Sequence, residues 1–416
     1  MFANGSRPFR RHYERVLGTS MELTVWSRPA GVERVFRTVL DEVDRLDRLL
    51  STYRSDSEIS RYGDGIRASG SRERWLLLDE YSRWQERTGG AISSRINGRL
   101  NVDALGKAFI VDRAAAAGLD GTGADGVMLN IGGDIAVVGP EVAVDVADPS
   151  RPFENDAPLA RIRLSAGAVA TSGSYARPGH LVDPRTGGPA NGAASATVVA
   201  ADCLTANALA TALCVLPISQ GLALVEMEAG AEALLTSRTG AVLKTSGFAS
   251  LEQATPPRPS GSGQWPVGFE VRVAITLTGQ SGGRGGRNIK SPYVAIWVEN
   301  AAGKYIRTLA VWGDKWRYLE ELTDWWKFAR NDKALNTSAT RATRPAGEYR
   351  VAWSGLDDTG NPMPQGPYKI NVEVSREHGT YARKTGAIVT GAEPSAITLP
   401  GTAEFAPIVI AYGPRT

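Results

Sequence analysis

Residues 126–138 read GVMLNIGGDIAVV, two apolar runs on either side of Gly132-Gly133-Asp134. The runs are strand-like, and a pair of glycines lets a backbone turn tightly or approach a ligand closely. The acid that follows the glycines can hold a hydroxyl group or a cation. Two interpretations of this stretch stay open: a tight bulged hairpin and a ligand-binding turn.

Helical and strand-like segments surround this stretch, which predicts an α+β domain. Apolar periodicity and glycine stops predict helices over 31–50, 72–88, from Gly106 to Gly118, and over 201–216. Strand-like runs cover 126–131, 134–138, 141–146, 160–164 and 194–200, and a hairpin covers 233–246.

A change of composition divides the chain. Residues 252–266 read EQATPPRPSGSGQWP, which is typical of a linker. Beyond it, strand-like runs follow one another between turns, which predicts a β-sandwich. The predicted organisation is a domain over 14–250, a linker over 251–266 and a β-sandwich over 267–413.

Composition excludes several classes of protein. The chain has 416 residues, with 47 Lys and Arg against 44 Asp and Glu and a net charge of +3. The basic residues are scattered, which argues against a nucleic-acid partner. No run reaches the roughly 18 apolar residues of a membrane-spanning helix. The two cysteines, Cys203 and Cys214, fall in one predicted helix about 16 Å apart, too far for a disulfide.

Residues 180–187 read HLVDPRTG and place an imidazole, a carboxylate, a guanidinium and a hydroxyl in one turn-rich segment. A base, an orienting acid and a phosphate clamp are the groups that group transfer needs. His180, Asp183 and Arg185 are therefore the candidate catalytic residues. An ordinary surface turn is the alternative interpretation.

Two further segments predict ligands carried by helices. Asn207 and Thr211 lie four residues apart on one predicted helix face, where two hard oxygens can hold Mg²⁺. Lys107 lies in the first turn of a predicted helix, and a helix start beside a cation favours an anion. For both segments the alternative is an ordinary helix. Walker A, G-x-S-x-G, H-E-x-x-H and C-x-x-C patterns are absent from the sequence, which weakens other enzyme classes.

Seven loose motifs, taken in order, resemble the ApbE family of FAD:protein FMN transferases. They cover residues 17–19, 51–60, 101–112, 130–134, 172–175, 180–187 and 206–212. The family pattern at 101–112 is D-L-G-A-I-G-K-G-Y-x-V-D, and at 206–212 it is A-D-A-L-A-T-A. The shared order makes the resemblance specific.

The resemblance implies a reaction. FAD is split at its pyrophosphate, FMN is attached through phosphate to a Thr or Ser of an acceptor protein, AMP leaves, and Mg²⁺ is needed. His180 matches a base for the acceptor hydroxyl. The implied metal ligands are the Ala104 carbonyl, Asn207 and Thr211. The implied FAD contacts are Leu17, Tyr53, Ala91, Ile92, Ser93, Asn101, Lys107, Gly132, Gly133, Asp134 and Thr186.

Four departures from the family pattern bear on activity. Asn207 replaces a metal-binding Asp, which removes a negative charge, and Asn101 replaces an FAD-contacting Asp. Ala108 replaces a Gly, and the stretch between Gly90 and Asn101 is short. These departures keep two alternatives open: a catalytically degenerate FAD-binding protein, and an FAD pyrophosphatase that releases FMN and AMP.

The resemblance also implies the fold class, partner and location. We expect α+β: an ApbE-like flavin transferase domain (mixed sheets with helices) followed by a β-sandwich, immunoglobulin-like domain. The expected partner is a separate acceptor protein with an Asp followed by Ser/Thr-Gly-Ala-Thr, because this chain has no good copy of that motif. Family members are usually exported, which favours the periplasm or cell envelope. Residues 1–20 show no signal peptide, so a cytoplasmic location follows if residue 1 is the true start.

Overall fold

The computed structural model describes residues 6–66, 69–173, 181–255, 264–278, 291–313, 316–331, 340–341, 343–344, 346–376 and 380–415. The contacts between residues divide the chain into two compact units. The first comprises Met1–Ser150 and Pro158–Thr255, and the second comprises Arg151–Ala157 and Pro256–Thr416. Within the described residues, no helix is long and apolar enough to cross a membrane.

The first unit is built on one large sheet. Its strands are β1 (Arg7–Val16), β2 (Thr19–Ser27), β3 (Arg95–Ile96), β4 (Arg99–Leu100), β5 (Gly126–Ile131), β6 (Asp134–Val146), β7 (Ala160–Gly173), β8 (Ser195–Ala200), β9 (Glu232–Thr236), β10 (Val242–Lys244) and β11 (Glu252–Gln253). The order across the sheet is β1-β2-β5-β6-β7-β8-β9-β10, with β11 on β7, while β3 and β4 form a separate hairpin. The described pairs of neighbours are antiparallel.

Among the described residues, six α-helices accompany this sheet. They are α1 (Val32–Leu50), α2 (Glu58–Gly63), α3 (Arg72–Arg87), α4 (Asp103–Leu119), α5 (Cys203–Val215) and α6 (Ile218–Glu226). α1 buries one apolar stripe, and α5 is apolar on nearly every side and buried almost throughout. A Cβ on Gly118 of α4 would lie 2.7 Å from Val39 Cγ2, so the glycine lets α4 approach α1 closely. The main core therefore lies between these helices and one face of the sheet.

The second unit has two sheets. Its strands are β12 (Phe269–Leu277), β13 (Tyr293–Asn300), β14 (Tyr305–Trp312), β15 (Thr340–Arg341), β16 (Gly347–Trp353), β17 (Gly366–Ser375), β18 (Tyr381–Thr390), β19 (Ser395–Leu399) and β20 (Ile408–Pro414). The sheet orders are β16-β12-β20-β19 and β15-β14-β13-β17-β18. Trp265 packs edge-on against Trp353 and Tyr412, with ring centroids 4.9 and 5.3 Å apart, in the core of this unit. Helices α7 (Trp316–Leu319) and α8 (Thr323–Ala329) contribute Leu319 and Trp325 to a separate apolar cluster with Trp297.

The predicted α+β class and the β-rich second part are confirmed, and three predicted element bounds are wrong. The strand predicted at 160–164 continues to Gly173 in β7. α4 begins at Asp103, before Gly106. The strands predicted at 134–138 and 141–146 are one strand, β6, with an irregular register between Val138 and Val142. The immunoglobulin-like topology stays a prediction.

Candidate functional site

The Gly132-Gly133 turn connects β5 to β6. Both glycines have positive φ, 58° and 93°, which other residues rarely adopt. The Asn130 side-chain oxygen accepts a hydrogen bond from the Gly133 amide (3.1 Å) and fixes the turn. A Cβ on Gly132 would lie 2.7 Å from Thr19 Cγ2. The glycine therefore lets the turn pack against the start of β2, two residues after the predicted contact Leu17.

Asp134 follows this turn and is buried, with 1% of its surface exposed. Lys107 Nζ lies 3.1 Å from Asp134 Oδ2 and donates to the Gly132 carbonyl over the same distance. Asn207 Nδ2 donates to Asp134 Oδ1 (2.9 Å). Burial raises the pKa of the Asp134 carboxyl, and the Lys107 ammonium and the Asn207 amide oppose that shift. These groups form one compact polar cluster where α4, α5 and the turn meet.

Oxygen atoms gather on the same side of α5. Thr211 Oγ1 lies 3.5 Å from Asn207 Oδ1, to which it donates, and 3.1 Å from Ser172 Oγ. Asp134 Oδ2 is buried and accepts no hydrogen bond of good geometry, although Lys107 is close. Carboxylate, amide and hydroxyl oxygens are the ligands that Mg²⁺ prefers, so this set fits a hard divalent cation. The described residues contain no cluster of three or more His, Cys, Asp or Glu for a metal.

The start of α4 lies beside the loop that follows α1. Thr52 Oγ1 and Tyr53 OH both donate to the Asp103 carboxylate, the second over 3.2 Å. Asn101 Oδ1 accepts from the Asp103 amide (3.2 Å). The sequence predicted Lys107 in the first turn of its helix. Because α4 starts at Asp103, Lys107 lies in the second turn instead. Its ammonium therefore serves Asp134 and the glycine turn, not the helix N-terminus.

The segment after residue 180 forms a tight turn held by one ion pair. The Asp183 carboxylate accepts from the Arg185 amide (2.9 Å), Nε (2.9 Å) and Nη2 (2.8 Å). The guanidinium holds the pKa of the Asp183 carboxyl below its ordinary value. Thr186 Oγ1 accepts from the Gly188 amide (3.2 Å). His180 lies outside the described residues.

The predicted contacts at 91–93 differ in what they offer a ligand. Ala91 and Ile92 are buried, with 1% and 3% of their surfaces exposed. The Ile92 amide donates to Thr88 Oγ1 (3.0 Å), and Ser93 Oγ donates to Gln85 Oε1 (3.3 Å). The side chains of Ala91 and Ile92 therefore face the core, and Ser93 is the polar group of this segment.

The structure brings the predicted site residues together in three groups. The first group contains Lys107, Gly132, Gly133, Asp134, Asn207 and Thr211. The second contains Tyr53, Asn101 and Ala104 at the start of α4. The third contains Asp183, Arg185 and Thr186, and a Cβ on Gly90 would lie 3.3 Å from Arg185 Cγ, which connects this group to 91–93. Within the part of the chain that the structure describes, no hydrogen bond or ion pair joins the third group to the first.

Sequence reasoning missed Thr52 and Asp103, and it did not place Asp134 beside Asn207. The signal for Asp103 was present, since an acid stands here where the family pattern at 101–112 has a glycine. No local pattern could have indicated the contact between Asp134 and Asn207, because 73 positions separate the two residues along the chain.

Comparisons with known proteins match two different parts of the chain. Residues 92–235 match the model of the ApbE family, and residues 284–406 match DUF2271, described as a predicted periplasmic protein. The FAD:protein FMN transferase of Vibrio cholerae serotype O1 is 25% identical over 276 residues, covering 50% of this chain and 82% of that protein.

Two solved structures share the fold. The flavin transferase ApbE from Vibrio cholerae has a TM-score of 0.51 and 21% identity, covering 59% of this chain and 99% of that one. The ApbE protein from Thermotoga maritima has a TM-score of 0.52 and 24% identity, covering 60% of this chain and all of that one. At these identities the likeness concerns the fold alone.

Proposed function

We propose that the chain, whose residues 92–235 match the ApbE family model, is a member of that family and a Mg²⁺-dependent flavin transferase. It moves FMN from FAD to a Thr or Ser hydroxyl of an acceptor protein and releases AMP. The match to the ApbE family supports the transferase class of enzyme. The metal, the hydroxyl acceptor and the leaving group are our inference for this chain.

The cluster of Lys107, Asp134, Asn207 and Thr211 beside the glycine turn, in which Asp134 and Asn207 are buried, is the observation that carries the proposal. Phosphoryl transfer depends mostly on positioning and on neutralising negative charge. Asp134 and the Gly132 carbonyl hold the Lys107 ammonium in place. A fixed cation beside two glycines without side chains gives a phosphate group access to both charge and backbone.

The metal would be held by the Ala104 carbonyl, Asn207 and Thr211, with Asp134 as the neighbouring carboxylate. Bound there, Mg²⁺ would neutralise charge on the pyrophosphate of the substrate. The three proposed ligands are neutral, so most of the ligand charge has to come from the phosphates of FAD. We therefore expect metal binding to depend strongly on FAD.

The remaining predicted residues have roles at the substrate and at the acceptor. His180 is the proposed base that removes the proton of the attacking hydroxyl. Asp183 fixes the orientation of Arg185, whose guanidinium is the proposed phosphate clamp. The proposed FAD contacts are Leu17, Tyr53, Ala91, Ile92, Ser93, Asn101, Lys107, Gly132, Gly133, Asp134 and Thr186.

Asn207 supports a second candidate function. An amide oxygen offers only a dipole to a metal where an aspartate would offer a full charge, so a degenerate FAD-binding protein is the alternative. An FAD pyrophosphatase needs only water in place of the acceptor hydroxyl.

AMP release separates these functions. The protein is mixed with FAD and Mg²⁺, with and without a synthetic peptide that carries an Asp followed by Ser-Gly-Ala-Thr, and AMP and flavinylated peptide are measured. A transferase releases AMP in step with peptide labelling, a pyrophosphatase releases AMP equally without peptide, and a binding protein releases none. A peptide with Ala for both Ser and Thr is the control.

The partner and the location follow from the same proposal. The partner is an acceptor protein with the Ser/Thr-Gly-Ala-Thr type of motif. Residues 284–406, within the second unit, match a family described as a predicted periplasmic protein, which supports an extracytoplasmic location for this protein. Fractionation of cells that produce the complete natural protein, with a periplasmic and a cytoplasmic marker, tests the location.

A further inference from the structure

Asp103 joins two hydroxyl groups from another part of the chain to the start of α4. It is the first residue of α4, and its carboxylate accepts hydrogen bonds from Thr52 and Tyr53. The family pattern has an Asp at position 101 and a Gly at position 103. This chain has Asn101 and Asp103, so the carboxylate lies two residues further along and reaches Tyr53.

Tyr53 is an aromatic side chain with unusual exposure. Its surface is 87% exposed, while its hydroxyl lies 3.2 Å from Asp103 Oδ2. A hydrogen bond to a carboxylate is stronger than one between neutral groups, so it restricts a ring whose surface is mostly exposed. Restricting a side chain before a ligand arrives lowers the entropy cost of binding.

The carboxylate that holds the ring is itself well anchored. Asp103 lies in the first turn of α4, where the helix dipole favours a negative charge. Its amide donates to Asn101 Oδ1, and Thr52 occupies its other carboxylate oxygen. The ring orientation of Tyr53 is therefore coupled to α4, the helix that also carries Ala104 and Lys107.

We propose that Asp103 is a positioning residue that holds the Tyr53 ring as a stacking platform for the isoalloxazine end of FAD. The inference rests on the proposed function, because FAD is the ligand. It adds a residue to the site, with a role at the flavin end and none at the adenine end. Aromatic rings of a ligand stack on exposed aromatic side chains in offset or edge-on geometry.

The experiment compares parts of the ligand. Wild type, Asp103→Asn, Tyr53→Phe and the double variant are titrated with FAD and FMN by flavin fluorescence and with ADP by calorimetry. Each single variant should raise the Kd of FAD and FMN about 5-fold, near 1 kcal/mol, and leave the Kd of ADP unchanged. The double variant should resemble either single variant, because Asp103→Asn removes the charge of the acceptor and Tyr53→Phe removes the donor of the same hydrogen bond. Asp56→Asn is the matched control, since Asp56 is exposed and contacts Arg54.

Several results would overturn this assignment. An equal loss of ADP and FMN affinity in Asp103→Asn would mean that the residue only stabilises the start of α4. Additive effects in the double variant, or unchanged FMN affinity in Asp103→Asn, would mean that Asp103 does not act through Tyr53. If wild type binds no FAD at tens of micromolar, the proposed function fails and this inference fails with it. If wild type binds FAD, any change of affinity in the variants reports on Asp103 and Tyr53 alone.

Discussion

Asn207 determines the net charge of the candidate site, because an aspartate at this position would add a second carboxylate beside Asp134. Its amide donates to the buried Asp134 carboxylate, and Lys107 is the ion-pair partner of that carboxylate. The sequence predicted Asn207 as a weakened metal ligand from its place in a motif. It could not predict the bond to Asp134, which depends on how α5 packs against the sheet. The exchange of Asp for Asn thus removes a second carboxylate from a site with one ammonium group.

We expect Asn207→Asp to make folding depend on Mg²⁺. Two carboxylates would then share a buried site with only Lys107 to balance them, at a cost of about 3 kcal/mol without metal. Mg²⁺ should recover most of this loss, measured as the melting temperature with EDTA and with increasing Mg²⁺. Asn371→Asp is the control, because Asn371 is also fully buried and belongs to the second unit. Equal melting temperatures in EDTA and in Mg²⁺ for Asn207→Asp would remove residue 207 from the metal ligands.

His180→Ala tests the proposed base separately from binding. A positioned base contributes roughly 10²- to 10⁴-fold to a rate. We expect the rate of flavin transfer to fall by about that factor, while the Kd of FAD from fluorescence titration stays close to that of wild type. Equal losses of rate and affinity would instead make His180 a binding residue.

At the scale of elements, the sequence pattern predicted that α4 and β6 exist but not where α4 begins or that β6 is continuous. The apolar stretch of α4 was recognised, but its first turn contains Asp103 and Gly106, which gave no helical periodicity. The sequence predicted separate strands at 134–138 and 141–146, and the structure has one strand, β6, that continues between them through an irregular register. A Cβ on Gly139 would lie 2.6 Å from Gly126 Cα, so close approach of two strands explains this glycine. Such approach depends on tertiary packing and is not visible locally.

Asp112 connects α4 to α5 and makes the stability of this pair pH-dependent. Its carboxylate accepts from the Cys203 and Leu204 amides (2.8 and 3.0 Å), and burial raises its pKa to about 7. The folded state therefore binds a proton more tightly than the unfolded state, whose pKa is about 3.9. Its contribution to stability is fully present below pH 4 and is lost as pH rises towards 7.

Asp112→Asn should remove this dependence on pH. We subtract the melting temperature of wild type from that of the variant at each pH. This difference should increase from pH 4 to pH 7 and then level off, because only wild type loses the contribution of Asp112 in that interval. Asp79→Asn, an acid on α3 without this contact, should follow wild type. A constant difference between Asp112→Asn and wild type over the whole interval would contradict a raised pKa at Asp112.

At the scale of the whole molecule, the two units are not two contiguous halves of the sequence. The proline- and glycine-rich composition predicted a linker at 251–266, and the predicted bounds 14–250 and 267–413 stay predictions. The contacts place Arg151–Ala157, from the connection between β6 and β7, in the second unit. The Glu154 amide donates to the Arg350 carbonyl (2.8 Å), and the Asn155 side chain bonds both the amide and the carbonyl of Ala352. Composition marks a linker but carries no signal for a loop that pairs with the edge of β16.

Arg151 provides the test of this division. Its Nη2 donates to Glu270 Oε2 (2.9 Å), and Glu270 is 1% exposed with its Oε1 atom buried and without a hydrogen bond. Removing Arg151 takes one of two cations from the buried Glu270 carboxylate, because Arg415 Nε also lies 3.2 Å from Glu270 Oε2. We expect Arg151→Ala to lower the free energy of unfolding of the second unit by about 2 kcal/mol, the loss of a hydrogen bond to a charged group, measured by tryptophan fluorescence in urea.

Two further variants make this result specific to the second unit. Glu270→Gln combined with Arg151→Ala should destabilise the unit by less than the sum of the single changes, because the two residues form one interaction. Arg161→Ala removes an exposed ion pair with Asp145 on the sheet of the first unit and should cost less than about 1 kcal/mol. Seven of the ten tryptophans lie at position 265 or beyond, so the fluorescence change reports mainly on the second unit. If Arg151→Ala leaves this transition unchanged, residues 151–157 contribute nothing to the second unit, and the division into a continuous N-terminal and a continuous C-terminal domain replaces it.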